Sequence, residues 1–179
     1  RGIAYREGPG PAAVLAELDA AIEGLGMGTM ATAAIARVEQ TPEDRAAGLT
    51  RVRWSNAGHP APLLLHVDGR IEELALPRPE LMLGVNPLTP RTEAVVTVAR
   101  GATLLLYTDG LVEGRDLPLD EGVARLRAAL AELADEPLAV LCDEVIERLR
   151  PEGLQDDVAL VAIRLRREDR QRPAQAGRS

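Results

Sequence analysis

The sequence contains no lysine, no phenylalanine and a single cysteine among 179 residues. Aromatics are limited to Tyr5, Trp54 and Tyr107, so base-stacking platforms for single-stranded nucleic acid are poorly supported. The net charge of −7 opposes a phosphate backbone, and all 21 basic residues are arginines with no cluster on a predicted element. No nucleic-acid partner is therefore expected. Cys142 alone cannot close an internal disulfide or build a thiolate zinc site, and it reads as a small helix residue in a reducing compartment. No apolar run approaches the roughly 20 residues that span a bilayer, and no signal peptide is present, so the expected location is cytoplasmic with no membrane span. What remains is ample core material: 46% of the residues are hydrophobic, and the core is expected from Leu, Val, Ile and Ala.

Leu15, Leu18, Ile22 and Leu25 recur at helical spacing, predicting an amphipathic helix over 12–25 that stops at Gly24, Gly26 and Gly28. That glycine run follows a helix, whereas a phosphate loop precedes one. Residues 30–39 and 49–56 read as strands around a polar turn, 41–48. Asp68-Gly69 between 63–67 and 70–76 is the strongest hairpin signal. Strands are expected at 92–98 and 103–108, the latter buried on both faces because Leu104, Leu105 and Leu106 are continuous. Two helices follow, one with the stripe Val123, Leu126, Leu130 and Leu133, the other with Leu138, Leu141, Val145 and Leu149. A final strand, 158–165, reads as central in its sheet. The tail, 167–179, reads as disordered. The order implies an α+β fold with mostly antiparallel pairing.

Acids at strand ends carry the chemistry, since buried strands hold them rigid while leaving the carboxylates accessible. Asp109 follows the 103–108 strand, and Asp156 and Asp157 precede the last one. If those strands pair, the acids converge, and a sparse set of carboxylates suits a hard divalent cation. By spacing alone, the ordinary reading comes first: Asp109-Gly110 as a turn and Asp156-Asp157 as polar punctuation. Glu113 reads as a solvated turn residue, and His66 as a surface or partly packed one. Arg91 and Arg100 flank a strand, where surface salt bridging is the ordinary fate. No side-chain nucleophile has a plausible base beside it.

Taken together, Ser55-Asn56-Ala57-Gly58-His59-Pro60, Leu83-Gly84-Val85, Leu105-Leu106-Tyr107-Thr108-Asp109-Gly110 and Asp156-Asp157-Val158-Ala159-Leu160 resemble, in order, the signatures of PPM-type metal-dependent phosphatases, in the branch of SpoIIE-like bacterial serine phosphatases. The resemblance implies two stacked antiparallel sheets flanked by helices, with a site for two manganese or magnesium ions at one edge. It implies hydrolysis of phosphoserine or phosphothreonine by metal-activated water on a regulatory protein, such as an anti-sigma-factor antagonist. It assigns Asp109 and Asp156 as metal ligands, with Gly110, Asp157, Asn56 and His59 close by.

One family motif, a Gly-Asp run of the form G-D-x-x-G-x-G whose Asp bridges both ions, is absent, together with the two strands that carry it. The expected domain is therefore partial, 1–166. It would have an unpaired sheet edge and an uncovered apolar face, and would hold at most one metal weakly. The alternative is a non-catalytic protein-interaction module derived from a phosphatase.

Overall fold

A computed structural model describes residues 8–26, 28–114, 117–149 and 157–165. Asp156 and the tail at 167–179 lie outside these residues. Helix α1 (Pro11–Gly24) begins with a proline whose missing N–H costs nothing in a first turn. Strand β1 (Ala33–Glu39) leads into α2 (Pro42–Ala47), then β2 (Leu49–Ala57), β3 (Leu63–Leu65) and β4 (Ile71–Glu73). Strands β5 (Ala94–Ala99) and β6 (Thr103–Tyr107) precede a single 3-10 turn, Asp109–Leu111. Helices α3 (Leu119–Glu132) and α4 (Leu138–Leu149) and strand β7 (Leu160–Arg164) complete the order.

The strands form two antiparallel sheets, ordered β1-β2-β5 and β4-β3-β6-β7. Alternating side chains sort into three apolar layers, as the two-residue period of a strand requires. Leu15 and Ile22 of α1 pack with Ala33, Ile35 and Ala57 on one face of the first sheet. Val52, Trp54 and Val98 meet Leu64 and Leu104 between the sheets. Leu63, Leu105 and Tyr107 pack against Leu126, Leu130, Leu141 and Val145 of α3 and α4. The architecture is α-β-β-α, as the motif resemblance implies.

The polar segment 41–48 is a short helix rather than a plain turn. Thr41 accepts a hydrogen bond from the Asp44 amide, and Asp44 accepts one from the Thr41 amide. This reciprocal capping satisfies two amides that a six-residue helix could not otherwise satisfy.

Among the described residues β7 is an edge strand, contrary to its central reading. Val161 and Ile163 pair across to Leu106 and Leu104, whose side chains belong to the layer between the sheets, yet they are 54% and 42% exposed. Apolar content on both faces shows only that a strand expects cover, and the described residues do not supply it for β7.

Gly122 lets α3 approach the chain that leaves β6. A methyl group added there would overlap the Val112 carbonyl, a backbone atom that cannot swing aside. Gly122→Ala is expected to lower stability by about 1–3 kcal/mol despite alanine's better helix propensity, read as a reduced urea midpoint. An unchanged or raised midpoint would show that this contact is loose.

Candidate functional site

The end of β6 is held on two sides. Against β7, the Thr108 amide donates to the Ala159 carbonyl at 3.0 Å. The Thr108 hydroxyl donates to the Asp157 carbonyl at 3.0 Å and accepts from the Ala159 amide at 2.9 Å. The expected pairing of the two acid-bearing strands is therefore present, and it brings the segment at 157–159 against the residue preceding Asp109. Asp157 itself has further interactions.

Asp109 opens the 3-10 turn. Its Oδ1 accepts from the Gly110 amide at 2.9 Å, and its carbonyl accepts from the Val112 and Glu113 amides. The second carboxylate oxygen, Oδ2, accepts no hydrogen bond from the described residues. Asp109 is half-buried, so this oxygen belongs to a carboxylate that is fixed but not sealed. Glu113 is exposed, as expected.

On the other side stands the turn after β2. Asn56 holds it closed, with Nδ2 donating to the His59 carbonyl at 2.7 Å and Oδ1 accepting from the His59 amide at 2.8 Å. Gly58 has φ +69°, and a side chain there would meet Met82 at 2.6 Å, so the turn requires glycine twice over. The closed turn aims the His59 imidazole at the end of β6. There it stands near the Tyr107 carbonyl and feels the Asp109 charge, while Nδ1 lies 3.0 Å from the Thr32 hydroxyl.

Burial pushes the His59 imidazole below its ordinary value of 6.5, and the Asp109 charge and Tyr107 carbonyl only partly oppose this. Unfolded chain therefore takes up a proton near pH 6.5 that the folded form resists. The stability this confers is complete above that pH and is lost as pH falls through the lowered folded value. Urea midpoints are expected to fall between about pH 7 and pH 5.5 in the parent, and less steeply in His59→Gln. A parallel decline in both proteins would remove His59 as the cause.

A third segment reaches the site only through Thr32, and its key residues carry no local sequence signal. Asp19 of α1 is fully buried and accepts from the Gly84 amide at 2.8 Å. It also receives Arg91, through Nε at 2.9 Å and through Nη2. The Arg91 side chain is only 1% exposed, so its expected surface position is corrected: a buried carboxylate demands a planar, two-pronged partner. Gly84 has φ +79° and packs on the Thr29 carbonyl, while Leu83 bridges to Ala31. The Leu83-Gly84-Val85 motif thus ties the start of β1, and with it Thr32, to α1. Arg100 instead donates through Nη2 to the Arg45 carbonyl.

Two other candidates are set aside by their surroundings. His66 lies past β3 with Nε2 2.9 Å from Glu72, and its side chain is largely buried, so it is packed rather than poised. Cys142 sits half-buried in α4, and burial pushes its thiol up, away from the reactive thiolate. Tyr107 is buried behind the site, and burial together with the Glu73 charge raises its hydroxyl to about 12, so it stays a protonated donor.

A hard divalent cation wants oxygen donors with free lone pairs, and Asp109 Oδ2 fits that demand. Among the described residues no group of three or more His, Cys, Asp or Glu is placed to hold a metal ion. Asp109 can therefore be one member of a ligand set that these residues do not complete.

A sequence profile of the family described as Stage II sporulation protein E (SpoIIE) matches residues 1–166. Among solved structures, the RsbU and RsbW domains of Rv1364c from Mycobacterium tuberculosis share 28% identity at a TM-score of 0.71, covering 89% of this chain and 43% of that one. The SiaA-PP2C domain of Pseudomonas aeruginosa shares 19% at a TM-score of 0.66, covering 87% and 61%. The manganese-presoaked phosphatase domain of SpoIIE from Bacillus subtilis shares 14% at 0.57, covering 90% and 68%. The chain thus spans less than two thirds of the first two, and the last two likenesses carry the fold alone. With the family profile covering nearly all of its length, the chain belongs to the SpoIIE family of PPM-type phosphatase domains.

Proposed function

We propose that this chain forms part of a metal-dependent protein serine/threonine phosphatase that hydrolyses phosphoserine or phosphothreonine on a regulatory protein. The observation that carries the reading is the Asp109 carboxylate, pinned by Gly110 through one oxygen and open at the other. Asp109 is the first proposed ligand. Asp156 is the second, by its place in the sequence next to Asp157. A bound manganese or magnesium ion would supply hydroxide near neutral pH and would neutralise phosphate oxygens.

The chain's own residues set up that chemistry. The Thr108 clasp and the Gly110 amide keep Asp109 from rotating away, which limits the entropy lost on binding. His59, pushed toward its neutral form by burial, adds no positive charge to oppose a cation. Asn56 holds His59 in place.

Two ions a few ångströms apart repel strongly without a bridging carboxylate, and these residues offer none. We expect at most one weakly held ion from them unaided. That same observation favours a second reading, a non-catalytic module that retains the phosphatase surface for docking. The proposed partner is a phosphorylated regulatory protein of the anti-sigma-factor antagonist type, supported by the likeness to a chain that carries RsbU and RsbW domains. A cytoplasmic location is proposed from the lone cysteine; no helix among the described residues is long and apolar enough to cross a membrane.

The test is release of inorganic phosphate from a phosphoserine peptide by the full encoded protein, with manganese or with EDTA. The enzyme reading expects release only with metal, increasing toward neutral and alkaline pH as hydroxide and ionised ligands become available. The module reading expects partner binding without release under either condition.

A further inference from the structure

Between Pro60-Ala61 and α3 lies an open pocket of about 580 Å3 that the proposed chemistry does not use. Its walls are mainly apolar, from Pro60, Ala61, Val123 and Ala124. Tyr107 lines it too. That residue is only 3% exposed, yet its hydroxyl has no hydrogen-bond partner among the described residues. The hydroxyl is not sealed in the core but reaches the solvent of the pocket, where water or an entering acceptor can take its hydrogen bond.

Glu73 and Arg127 stand beside the pocket 3.7 Å apart, and Arg127 also donates to the Ile71 carbonyl. Their charges offset each other, and Asp120 adds an acid, so the lining disfavours an acidic occupant. It suits an uncharged apolar group that carries an acceptor. Position narrows the choice further. Tyr107 is two residues from Asp109, and Pro60 directly follows His59, so the pocket adjoins the candidate site. An extended chain advances about 3.3 Å per residue, so the occupant we assign to the pocket is a side chain one or two residues from a group held at Asp109.

We propose that this pocket reads the substrate's sequence: it takes an aliphatic side chain one or two residues from the phosphoserine, and the Tyr107 hydroxyl donates to a backbone carbonyl of the same segment. The proposal rests on the phosphatase reading for its choice of occupant, but the pocket can be tested apart from it.

The experiment uses the full encoded protein and two phosphoserine peptides, one flanked by glycines and one carrying leucines beside the phosphoserine. In the parent, kcat/KM is expected to favour the leucine peptide about tenfold. Ala124→Phe, which fills the pocket, brings that ratio close to one. Tyr107→Phe raises KM for both peptides severalfold and leaves the ratio, because a backbone carbonyl is common to both. A parent ratio of one means that water alone occupies the pocket, and overturns the proposal.

A second readout does not depend on turnover: amide chemical shifts of Val123 and Ala124 during titration with the unphosphorylated leucine peptide. Shifts at those amides without hydrolysis would retain the pocket as a peptide site and remove the phosphatase reading. Hydrolysis with neither shifts nor preference would do the reverse.

Discussion

Replacing Asp109 with asparagine is expected to lower manganese-dependent phosphoserine hydrolysis at least about a hundredfold while leaving the urea midpoint nearly unchanged. Asparagine has the same shape, and its side-chain carbonyl can still accept from the Gly110 amide, so the 3-10 turn and its backbone bonds to Val112 and Glu113 persist. What disappears is the negative charge on the open oxygen, which is the property a hard cation selects. Loss of activity with loss of fold would point to a merely structural acid. Full activity would show that the ligands lie elsewhere. Rescue by high manganese would be consistent with a weakened ligand set.

The second large effect concerns stability. Arg91→Met is expected to cost about 3–5 kcal/mol, because it leaves Asp19 buried and charged with only the Gly84 amide for company. Asp19→Leu should be costly too, because it strands the Gly84 amide and leaves the buried Arg91 guanidinium with only Glu80 and the Leu81 and Met82 carbonyls. The double variant should recover part of the loss, since no lone buried charge remains at positions 19 and 91, although the Gly84 amide and Glu80 lose their partners. Urea unfolding of the four proteins checks this. Single changes below about 1 kcal/mol would mean that the pair is solvated rather than sealed. Thr32 follows directly on Ala31, which bridges to Leu83, so a loosened Gly84 segment should also weaken the contact between Thr32 and His59.

These two results bear on different parts of what the sequence discloses. Asp109 is visible because it ends a run whose burial on both faces is evident from Leu104 and Leu105, and because the motif around it is contiguous. The Asp19–Arg91 pair is not visible, since 72 positions separate its members and each alone resembles an ordinary surface charge. The same holds for Thr32 and His59, which a turn and two strands bring together. Thr41 and Asp44 did offer a readable signal, a capping pair three residues apart behind Pro42, but a polar, proline-containing stretch of eight residues equally fits a turn. The position of β7 is hidden for another reason. Hydrophobicity on alternate faces records which contacts a strand is suited to make, and Val161 and Ile163 keep that suitability although they are exposed at a sheet edge. Gly122 is equally silent, because a glycine in a helical pattern announces a close approach only once its neighbour, Val112, is known.

Calorimetric titration of manganese into the full encoded protein, with Asp109→Asn alongside and phosphate release followed in the same samples, tests the central claim most directly. The account predicts saturable binding that the substitution weakens at least about tenfold, with hydrolysis rising as the metal site fills. Hydrolysis that proceeds undiminished in EDTA, or metal binding equally strong in parent and variant, would contradict it.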